Sequence, residues 1–480
     1  MIRLHCYTDI PAESDLINKI VEILPDLRQL GIRVWLRDNF TQDLPDGIEP
    51  IEHQLQSTYG SPSPKSYRSE ITFEDQAYYI FTSGTTGLPK ACKRTHRAAV
   101  AASFALESVG LGPDDVLYSP LPLYHSAAFN LGFLNCIRVG CTFAIGRKFS
   151  VTRFWEDVRK HHATIIQYIG EICRYLMAQP KKPDDGVYPV KLRVACGNGL
   201  RPDIWEHFKT RFNIDHIYEF WGATECYKMF INLDGKVGTV GRLSPLLKLL
   251  DGSVRVIKCD VNLAEPIRGK DGKCIEVAPG ETGLLVIAVV NDTSPFLGYI
   301  GKKETEKKIL RNVFKDGDSY FNSGDLIKIS PDGYIYFVDR LGDTFRWKGE
   351  NVATTEVAQI LDEFPGIMEA NVYGVTIPGQ DGKAGMAAIT LSAGVESLDF
   401  KKLYSYLSDK LPSYARPKFI RITSNMDLTG TFKHKKSEFA KQGFDPIQIT
   451  DPLYYINNES TTYDILNADS FPFVKLCSKL

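Results

Sequence analysis

The sequence has no excess of charge of either sign, because 57 Lys and Arg residues are balanced by 58 Asp and Glu residues. No basic block stands out along the chain either. A nucleic-acid-binding surface needs clustered positive charge, so this composition argues against one. We therefore expect small molecules rather than nucleic acid as partners.

Paired cysteines and long apolar runs are also missing. The ten cysteines show no CxxC spacing and no secretory leader opens the chain, so we expect reduced thiols in an intracellular protein and no metal cluster. The most apolar stretch, residues 127–145, is interrupted by Asn130, Asn135 and Arg138. It predicts buried core strand and helix rather than a membrane span, and it leaves peripheral membrane contact open.

The most informative segment runs from Tyr78 to Lys90, YYIFTSGTTGLPK, where an apolar run precedes a loop of glycines and small hydroxyl residues. Gly84 and Gly87 lack a Cβ, so the backbone can approach an anion closely, and Lys90 supplies the countercharge. The loop therefore predicts a phosphate-binding site. Its hydroxyl and amide donors are Thr82, Ser83, Thr85 and Thr86.

This loop is not a Walker loop, because Leu88 and Pro89 separate its last glycine from the lysine. Residues Thr95 to Ser108 have helical spacing, which predicts the order strand, loop, helix, with the helix N-terminus facing the anion. A flexible Gly/Thr turn is the alternative, but it would explain the glycines without explaining four hydroxyl residues and a lysine.

The loop resembles the ATP loop of the acyl-adenylate-forming superfamily, which contains acyl-CoA synthetases, luciferases and peptide-synthetase adenylation domains. A second segment, YEFWGATECY, resembles another motif of that superfamily. The resemblance implies that Trp221 stacks on adenine, Thr224 contacts phosphate and Glu225 holds Mg²⁺, roles that suit a flat ring and a carboxylate. GNGLRP, which contains Gly199, resembles the turn beside the adenine site.

The longest similar segment is YFNSGDLIKISPDGYIYFVDRLGDTFRWKGENV. The resemblance implies that Asp325 accepts both ribose hydroxyls and that Arg340 lies on the ribose and phosphate side. Taken alone, Asp325 could equally be a cap or turn residue, and Arg340 could form a weak surface ion pair. Where the superfamily usually has Asp or Lys at its hinge, this chain has Gly342, which can absorb a backbone rotation.

Near the C-terminus, LTGTFKHKK resembles the superfamily's catalytic-lysine segment, although Thr431 stands where many relatives have the lysine. The TGTFK form is similar to that of the very-long-chain acyl-CoA synthetases, also called fatty acid transport proteins, and implies that Lys433 is the catalytic lysine. Lys435 and Lys436 are the alternatives, although a run of cations usually forms a solvated face.

We predict an α/β fold with three parts. A large N-terminal adenylate-forming domain, residues 1–341, contains a β-rich subdomain over residues 249–338, where Gly/Asp turns separate short β-branched runs. A small mobile α+β C-terminal domain follows over residues 342–444, and residues 445–480 form a surface tail. Relatives usually have a longer N-terminal part with a membrane anchor, so the large domain is expected to be incomplete at its N-terminus.

The resemblance implies an ATP-dependent ligase that activates long or very-long-chain fatty acids as acyl-AMP and transfers them to coenzyme A, with Mg²⁺ as cofactor. Its implied catalytic residues are Thr85, Lys90, Glu225 and Lys433. Alternatives are a CoA ligase for another carboxylic acid, such as a bile acid or a secondary-metabolite precursor, or a non-catalytic fatty-acid uptake or binding protein. The chain ends in Ser478, Lys479 and Leu480, which match the peroxisomal address that an import receptor reads.

Overall fold

The computed structural model of the chain divides into two compact units, residues 1–71 and residues 72–480, and each is described by itself. The predicted boundary at residue 341 stays a prediction. The structure describes residues 5–7, 14–37, 44, 46–58, 60, 62–82, 89–226, 228–244, 247, 252–261, 263–289, 296–348, 350–378, 380, 382–424, 426 and 436–472.

The first unit is a three-stranded parallel sheet in the order β1-β2-β3, accompanied by two α-helices and a short 3₁₀-helix. Leu24 and Leu27 of its first helix join Val34 and Leu36 of the second strand in one apolar cluster. The elements are β1 (His5–Tyr7), α1 (Ser14–Gln29), β2 (Val34–Arg37), β3 (Ile48–Pro50), α2 (Glu52–Ser57) and the 3₁₀-helix Lys65–Arg68.

The second unit begins with an antiparallel hairpin of β4 (Gln76–Thr82) and β5 (Lys90–Thr95), which precedes α3 (His96–Ser103). The predicted order of strand, loop and helix is therefore wrong, since a second strand separates the loop from the helix. The six residues of β5 span roughly 17 Å, so the N-terminus of α3 does not directly follow the loop as expected. Thr95 instead caps α3 by accepting a hydrogen bond from the Ala98 amide at 3.2 Å.

A six-stranded sheet in the order β11-β10-β9-β8-β6-β7 follows, and its five strands β6 to β10 are parallel. Residues 165–169 are buried throughout, as expected of a central parallel strand covered on both faces. The elements are β6 (Val116–Ser119), α4 (Leu134–Val139), β7 (Thr142–Ile145), α5 (Phe154–Lys160), β8 (Ile165–Ile169), α6 (Gly170–Met177), β9 (Val194–Asn198), α7 (Pro202–Arg211), β10 (His216–Gly222) and β11 (Met229–Ile231), with a 3₁₀-helix at Glu107–Val109 and a π-helix at Ala127–Phe133.

The apolar stretch at residues 127–145 forms the π-helix, α4 and β7, and Ala128 and Leu131 are buried in the core of this sheet. The prediction of buried core strand and helix there is confirmed. Among the described residues, no helix combines the length and the apolar character needed to cross a bilayer.

The predicted β-rich subdomain is confirmed as an antiparallel sheet in the order β12-β19-β18-β16-β13, with β17 paired to β18. Gly333, at a φ of +86°, makes the predicted Asp-Gly turn between β18 and β19. The elements are β12 (Gly241–Arg242), β13 (Val254–Ile257), β14 (Cys259–Asp260), β15 (Glu265–Pro266), β16 (Thr282–Ala288), α8 (Lys302–Glu306), β17 (Ile309–Arg311), β18 (Ser319–Ile329) and β19 (Tyr334–Arg340).

A five-stranded sheet in the order β22-β23-β24-β25-β26 follows these strands. Asp399 caps the longest of its helices by accepting a hydrogen bond from the Lys402 amide. The elements are β20 (Phe345–Trp347), β21 (Glu350–Val352), α9 (Thr354–Asp362), β22 (Ile367–Val375), β23 (Ala384–Leu391), α10 (Phe400–Lys410), β24 (Phe419–Ile422), α11 (Lys436–Gln442), β25 (Leu453–Asn457) and β26 (Thr462–Ile465).

The expectation of a surface tail after Phe444 is wrong for the described residues 445–472. Strands β25 and β26 extend the last sheet, and Leu453, Ile456 and Tyr463 are buried in its core. The Tyr463 hydroxyl also donates to the backbone carbonyl of Pro417 at 2.8 Å. The two strands are short and alternate poorly between buried and exposed positions, which explains why no period is visible in the sequence.

Buried ion pairs join α6 and α7 of the parallel sheet to α9 and β22. The Arg174 guanidinium lies 2.7 Å from Glu171 and 3.1 Å from Glu369, and it also donates to the Met368 carbonyl at 2.9 Å. We call this group the arginine cluster; its members are Glu171, Arg174, Arg201, Asp203, Asp362 and Glu369, with Arg201 paired to both Asp203 and Asp362.

Candidate nucleotide site

The carboxyl ends of parallel strands are where open α/β sheets bind ligands. Strands β8, β9 and β10 are parallel neighbours, and they end side by side at Ile169, Asn198 and Gly222. The motif containing Trp221, Thr224 and Glu225 leaves the end of β10. The sheet therefore places this motif where a ligand site is expected.

Strand β5 holds this motif from one side. The Arg94 guanidinium donates to the backbone carbonyl of Thr224 at 2.9 Å, and the Cys92 thiol donates to the same carbonyl at 3.2 Å. The Thr224 hydroxyl lies 3.3 Å from the hydroxyl of Ser126. Because β5 also begins at Lys90, the phosphate-loop hairpin and the Thr224 segment share one framework.

Tyr299 connects the predicted cation to the predicted metal ligand. Its hydroxyl donates to the Glu225 carboxylate, and its ring centroid lies 5.9 Å from the Lys90 amino nitrogen. An isolated bridge to Cys92 fixes its backbone against β5. Burial, reinforced by the charge of Glu225, raises the pKa of the Tyr299 hydroxyl. The sequence reasoning missed Tyr299, whose one local signal is an aromatic residue directly after a glycine.

Trp221 and Asp325 are in direct contact. The indole nitrogen of Trp221 donates to the Asp325 carboxylate at 2.9 Å, and the indole ring packs at 5.3 Å from the ring of Phe230. Asp325 on β18 faces Arg340 on β19, where the guanidinium lies 3.9 Å from the carboxylate. The structure thus brings Trp221 together with Asp325, 104 residues away in the sequence, and with the strand partner of Asp325, Arg340.

Gly199 lies in the turn that follows β9, in the left-handed conformation with a φ of +82°. Its amide donates to the buried carboxylate of Glu219 on β10 at 2.8 Å. Glu219 is a second residue that the sequence reasoning missed. A lone carboxylate inside the apolar run of β10 is the signal that could have revealed it, because a buried charge needs partners.

Several predicted site residues lie outside the described residues, and their roles stay predictions. Thr82 and Lys90 are described and pair across the hairpin at its loop end, where the Thr82 hydroxyl donates to the Lys90 carbonyl at 3.3 Å. The residues that lie outside are Ser83, Gly84, Thr85, Thr86, Gly87, Lys433 and Lys435, together with the C-terminal Ser478, Lys479 and Leu480.

Lys436 is described, and it does not lie on a solvated face. Its amino group donates to the Thr354 hydroxyl at 2.5 Å and lies 3.4 Å from the Asp343 carboxylate. The Asp339 carboxylate accepts from both the amide and the hydroxyl of Thr354. Lys436 is therefore engaged beside the predicted hinge at Gly342, which makes it a structural cation in this conformation.

The described side chains suit a magnesium nucleotide. Glu225, Thr224 and Ser126 offer the oxygen donors that Mg²⁺ prefers, and Lys90 offers positive charge to phosphate. The Trp221 ring and the Asp325 carboxylate are one aromatic surface and one acceptor in contact with each other. Trp221 is 6% exposed, so the described donors match a phosphate chain with its metal, while the contacts to a purine and a ribose stay predictions.

Comparison with known sequences gives the same indication. Residues 10–287 match the family described as AMP-binding enzyme, and residues 356–433 match the AMP-binding enzyme C-terminal domain. Long-chain fatty acid transport protein 2 of Rattus norvegicus is 47% identical over 479 residues, which cover 97% of this chain and 76% of that protein.

Comparison with solved structures agrees with the fold. The anthranilate CoA ligase AuaEII in complex with anthranoyl-AMP gives a TM-score of 0.69 at 17% identity, covering 88% of this chain and 76% of that one. O-succinylbenzoate coenzyme A synthetase of Bacillus subtilis, in complex with ATP and magnesium ion, gives 0.64 at 20% identity, covering 88% and 82%. At such identities the likeness concerns the fold, and the predicted α/β adenylate-forming fold is confirmed.

Proposed function

Because this chain belongs to the AMP-binding enzyme family and is related to the long-chain fatty acid transport proteins, we propose that it is an ATP-dependent acyl-CoA synthetase for long or very-long-chain fatty acids. The reaction has two halves. The fatty carboxylate attacks the α-phosphate of ATP and releases pyrophosphate, and the CoA thiol then attacks the acyl-adenylate to give the thioester and AMP.

Each described site residue has a role in this scheme. Trp221 stacks on adenine, Asp325 accepts the ribose hydroxyls and Arg340 lies beside them. Lys90 offsets the charge of the departing phosphates, while Mg²⁺, when bound, neutralises phosphate charge and would be held by Glu225. Lys433 stabilises the charge that develops in the first half-reaction, and the C-terminal residues then rotate about Gly342 to admit CoA.

One observation carries the proposal more than any other. The Tyr299 hydroxyl donates to Glu225 and its ring centroid lies 5.9 Å from the Lys90 amino nitrogen, although the three residues come from separate segments of the chain. The predicted cation and the predicted metal ligand thus lie on either side of one tyrosine, close enough together to serve a phosphate chain and its metal. A merely structural glycine-rich turn would not need a carboxylate and a lysine at the same place.

Pyrophosphate release with a panel of fatty acids tests the proposal. We expect acyl-dependent release from the wild-type protein and a loss of about a hundredfold or more in Lys433→Ala, because a positioned charge is removed from the transition state. Lys441→Ala is the matched control, since Lys441 lies exposed on α11, and it should keep wild-type activity.

Two results would overturn these assignments separately. A folded wild-type protein that binds MgATP but releases no pyrophosphate with any fatty acid would remove the synthetase proposal. Equal rates for wild type and Lys433→Ala would remove the lysine assignment alone. Release only with other acids, such as bile acids, would keep the reaction and change the substrate.

The second candidate is a fatty-acid uptake or binding protein without turnover. The name of the rat relative, a transport protein, favours it. This candidate requires retention of fatty acid in an equilibrium binding assay together with no ATP consumption, so the same preparations distinguish the two functions.

We also propose that the protein is peroxisomal, with the terminal Ser478, Lys479 and Leu480 read by an import receptor. Deleting these three residues should change a punctate distribution in cells to a diffuse cytosolic one. A distribution that stays punctate after the deletion would contradict this localisation.

A further inference from the structure

Glu219 carries a buried carboxylate that the proposed reaction does not use. The residue is 2% exposed. The carboxylate accepts hydrogen bonds from the Gly199 amide at 2.8 Å, the Leu200 amide at 2.9 Å and the Tyr168 hydroxyl at 2.7 Å. All three donors are uncharged groups, so this carboxylate is held by hydrogen bonds alone.

The two amides belong to consecutive peptide groups, and this fixes the turn after β9. In a trans peptide the carbonyl points opposite to the amide of the next residue, so the Asn198 carbonyl is directed away from Glu219. The Gly199 carbonyl is in turn directed against Gly170, where an added Cβ would meet its oxygen at 1.6 Å. Carboxylate and glycine therefore confine the turn from opposite sides.

Glu219 also lies next to the proposed adenine platform. It pairs with Gly197 across the parallel strands β9 and β10, and Trp221 follows it by two residues. Residues two apart in a strand project from the same face, so Glu219 and Trp221 share one side of β10. One strand thus carries both the ring proposed to stack on the base and the carboxylate that holds the neighbouring turn.

We propose that Glu219 is a positioning residue for the adenine nucleotide. It sets the Gly199–Leu200 turn relative to Trp221, so that a slot of fixed width is present before the base arrives. The inference rests on the proposed nucleotide site and adds the residue that determines the shape of its base side.

The chemistry of Glu219 favours this role over simple core filling. Burial of a carboxylate is costly, and it raises the pKa of Glu219 to about 8 even though the three donors oppose the rise. A side chain that only filled space would avoid that cost. A carboxylate has two oxygens that can accept three donors, whereas an amide has one oxygen and would place its NH₂ group against a backbone amide.

Glu219→Gln tests the inference in the full chain by titration calorimetry with AMP and, separately, with pyrophosphate. AMP has a base and pyrophosphate has none, so only AMP reports on the turn. At pH 9, where the Glu219 carboxylate is ionised, we expect AMP affinity to fall about tenfold, as for the loss of a hydrogen bond to a charged group, with pyrophosphate affinity unchanged. In turnover, KM for ATP should rise while kcat changes little.

Glu369→Gln is the matched control, because Glu369 is also a buried carboxylate but lies on β22 away from the turn. It should lower the unfolding temperature and leave AMP affinity unchanged. Tyr168→Phe removes a single donor and should weaken AMP binding two- to fivefold, which provides a milder variant if Glu219→Gln folds poorly.

The possible outcomes distinguish a failure of the role proposed for Glu219 from a failure of the proposed nucleotide site. If Glu219→Gln and Tyr168→Phe both bind AMP as the wild type does, Glu219 is structural and the inference is overturned. If AMP and pyrophosphate weaken equally, the effect is general and the inference is again overturned. A wild-type protein that binds neither ligand would refute the proposed nucleotide site itself, and this inference with it.

Discussion

Two of the sites where this protein buries carboxylates differ in the partners that hold them. Glu219 is held by two backbone amides and a tyrosine hydroxyl, all uncharged. In the arginine cluster, Asp362 and Glu369 are instead paired with the guanidinium groups of Arg201 and Arg174. Burial still raises the pKa of Asp362 to about 7, although Arg201 opposes the rise.

The difference follows from what each group connects. The partners of Glu219 are two amides in the turn that follows β9 and the hydroxyl of Tyr168 on β8, so they belong to one sheet and its connecting turn and cannot separate from Glu219 without distorting them. The arginine cluster joins α6 and α7 to α9 and β22, which lie on the far side of Gly342 in the sequence. Ions that separate into water regain their hydration, which offsets part of the attraction that is lost. A contact made of ion pairs can therefore open at a lower free-energy cost than the attraction alone would suggest. This suits the proposed rotation about Gly342.

The substitution Arg174→Met should have the largest effect on stability, and it tests whether the arginine cluster depends on its guanidinium groups. The substitution leaves the buried carboxylate of Glu369 without its guanidinium, and the free energy of unfolding should fall by about 3 to 5 kcal/mol. Denaturant unfolding measures it. Arg311→Met is the control, because Arg311 pairs with Glu306 at an exposed site, and it should cost less than about 1 kcal/mol.

Arg174→Met should leave AMP affinity unchanged, in contrast to Glu219→Gln. If the two variants change stability and AMP affinity to the same relative extent, the distinction between a positioning carboxylate and a joining ion pair is wrong. If Arg174→Met unfolds at the wild-type denaturant concentration, the buried ion pair contributes no stability.

A smaller effect should appear in the pH dependence of the free energy of unfolding and of the AMP affinity. The pKa of Glu219 is about 8 in the folded protein and near 4.5 when unfolded, so the folded state holds the extra proton between these values. The stabilisation that the folded protein gains from the raised pKa of Glu219 is therefore complete below pH 4.5, and it is lost as the pH rises through 8. AMP affinity should rise over the upper part of this range, because only the ionised carboxylate accepts from all three donors.

The ratio of AMP affinities between wild type and Glu219→Gln isolates this effect from the titration of AMP itself. The titratable groups around Glu219 are Tyr168 on β8, Cys173 on α6 and Cys196 on β9, and burial raises the pKa of each well clear of this range. A ratio that stays constant from pH 6 to pH 9 would show that Glu219 does not titrate there.

Much of the fold could be predicted from the sequence where the apolar period is strong. The apolar spacing over residues 203–212 predicts a helix, which the structure shows as α7, and the short apolar run at residues 164–168 predicts a strand, which is β8. Strand β5 was missed because its inward positions are Cys92 and Arg94, and a buried arginine conceals the alternation. Arg94 can point inward because it donates to the Thr224 carbonyl, a contact 130 residues distant in sequence.

The candidate site shows the same limit. Motifs identify Trp221, Glu225 and Asp325 because each stands in a recognisable local segment. Tyr299 and Glu219 have roles that depend on partners in other segments, since Tyr299 meets Glu225 74 residues away and Glu219 meets Tyr168 51 residues away. A local pattern can mark such a residue, but it does not identify the distant partner, which only the folded chain reveals.

The close approach of Gly170 to the Gly199 carbonyl matters for the interpretation of genetic variants. A missense change at Gly170 would displace the Gly199 turn, although Gly170 has no assigned role in ligand chemistry and its codon lies far from any motif. Such an allele would look benign because it is distant from the motifs in the sequence, yet on the role proposed for the turn it would weaken nucleotide binding. Gly170 therefore belongs with the motif residues when variants of this protein are classified.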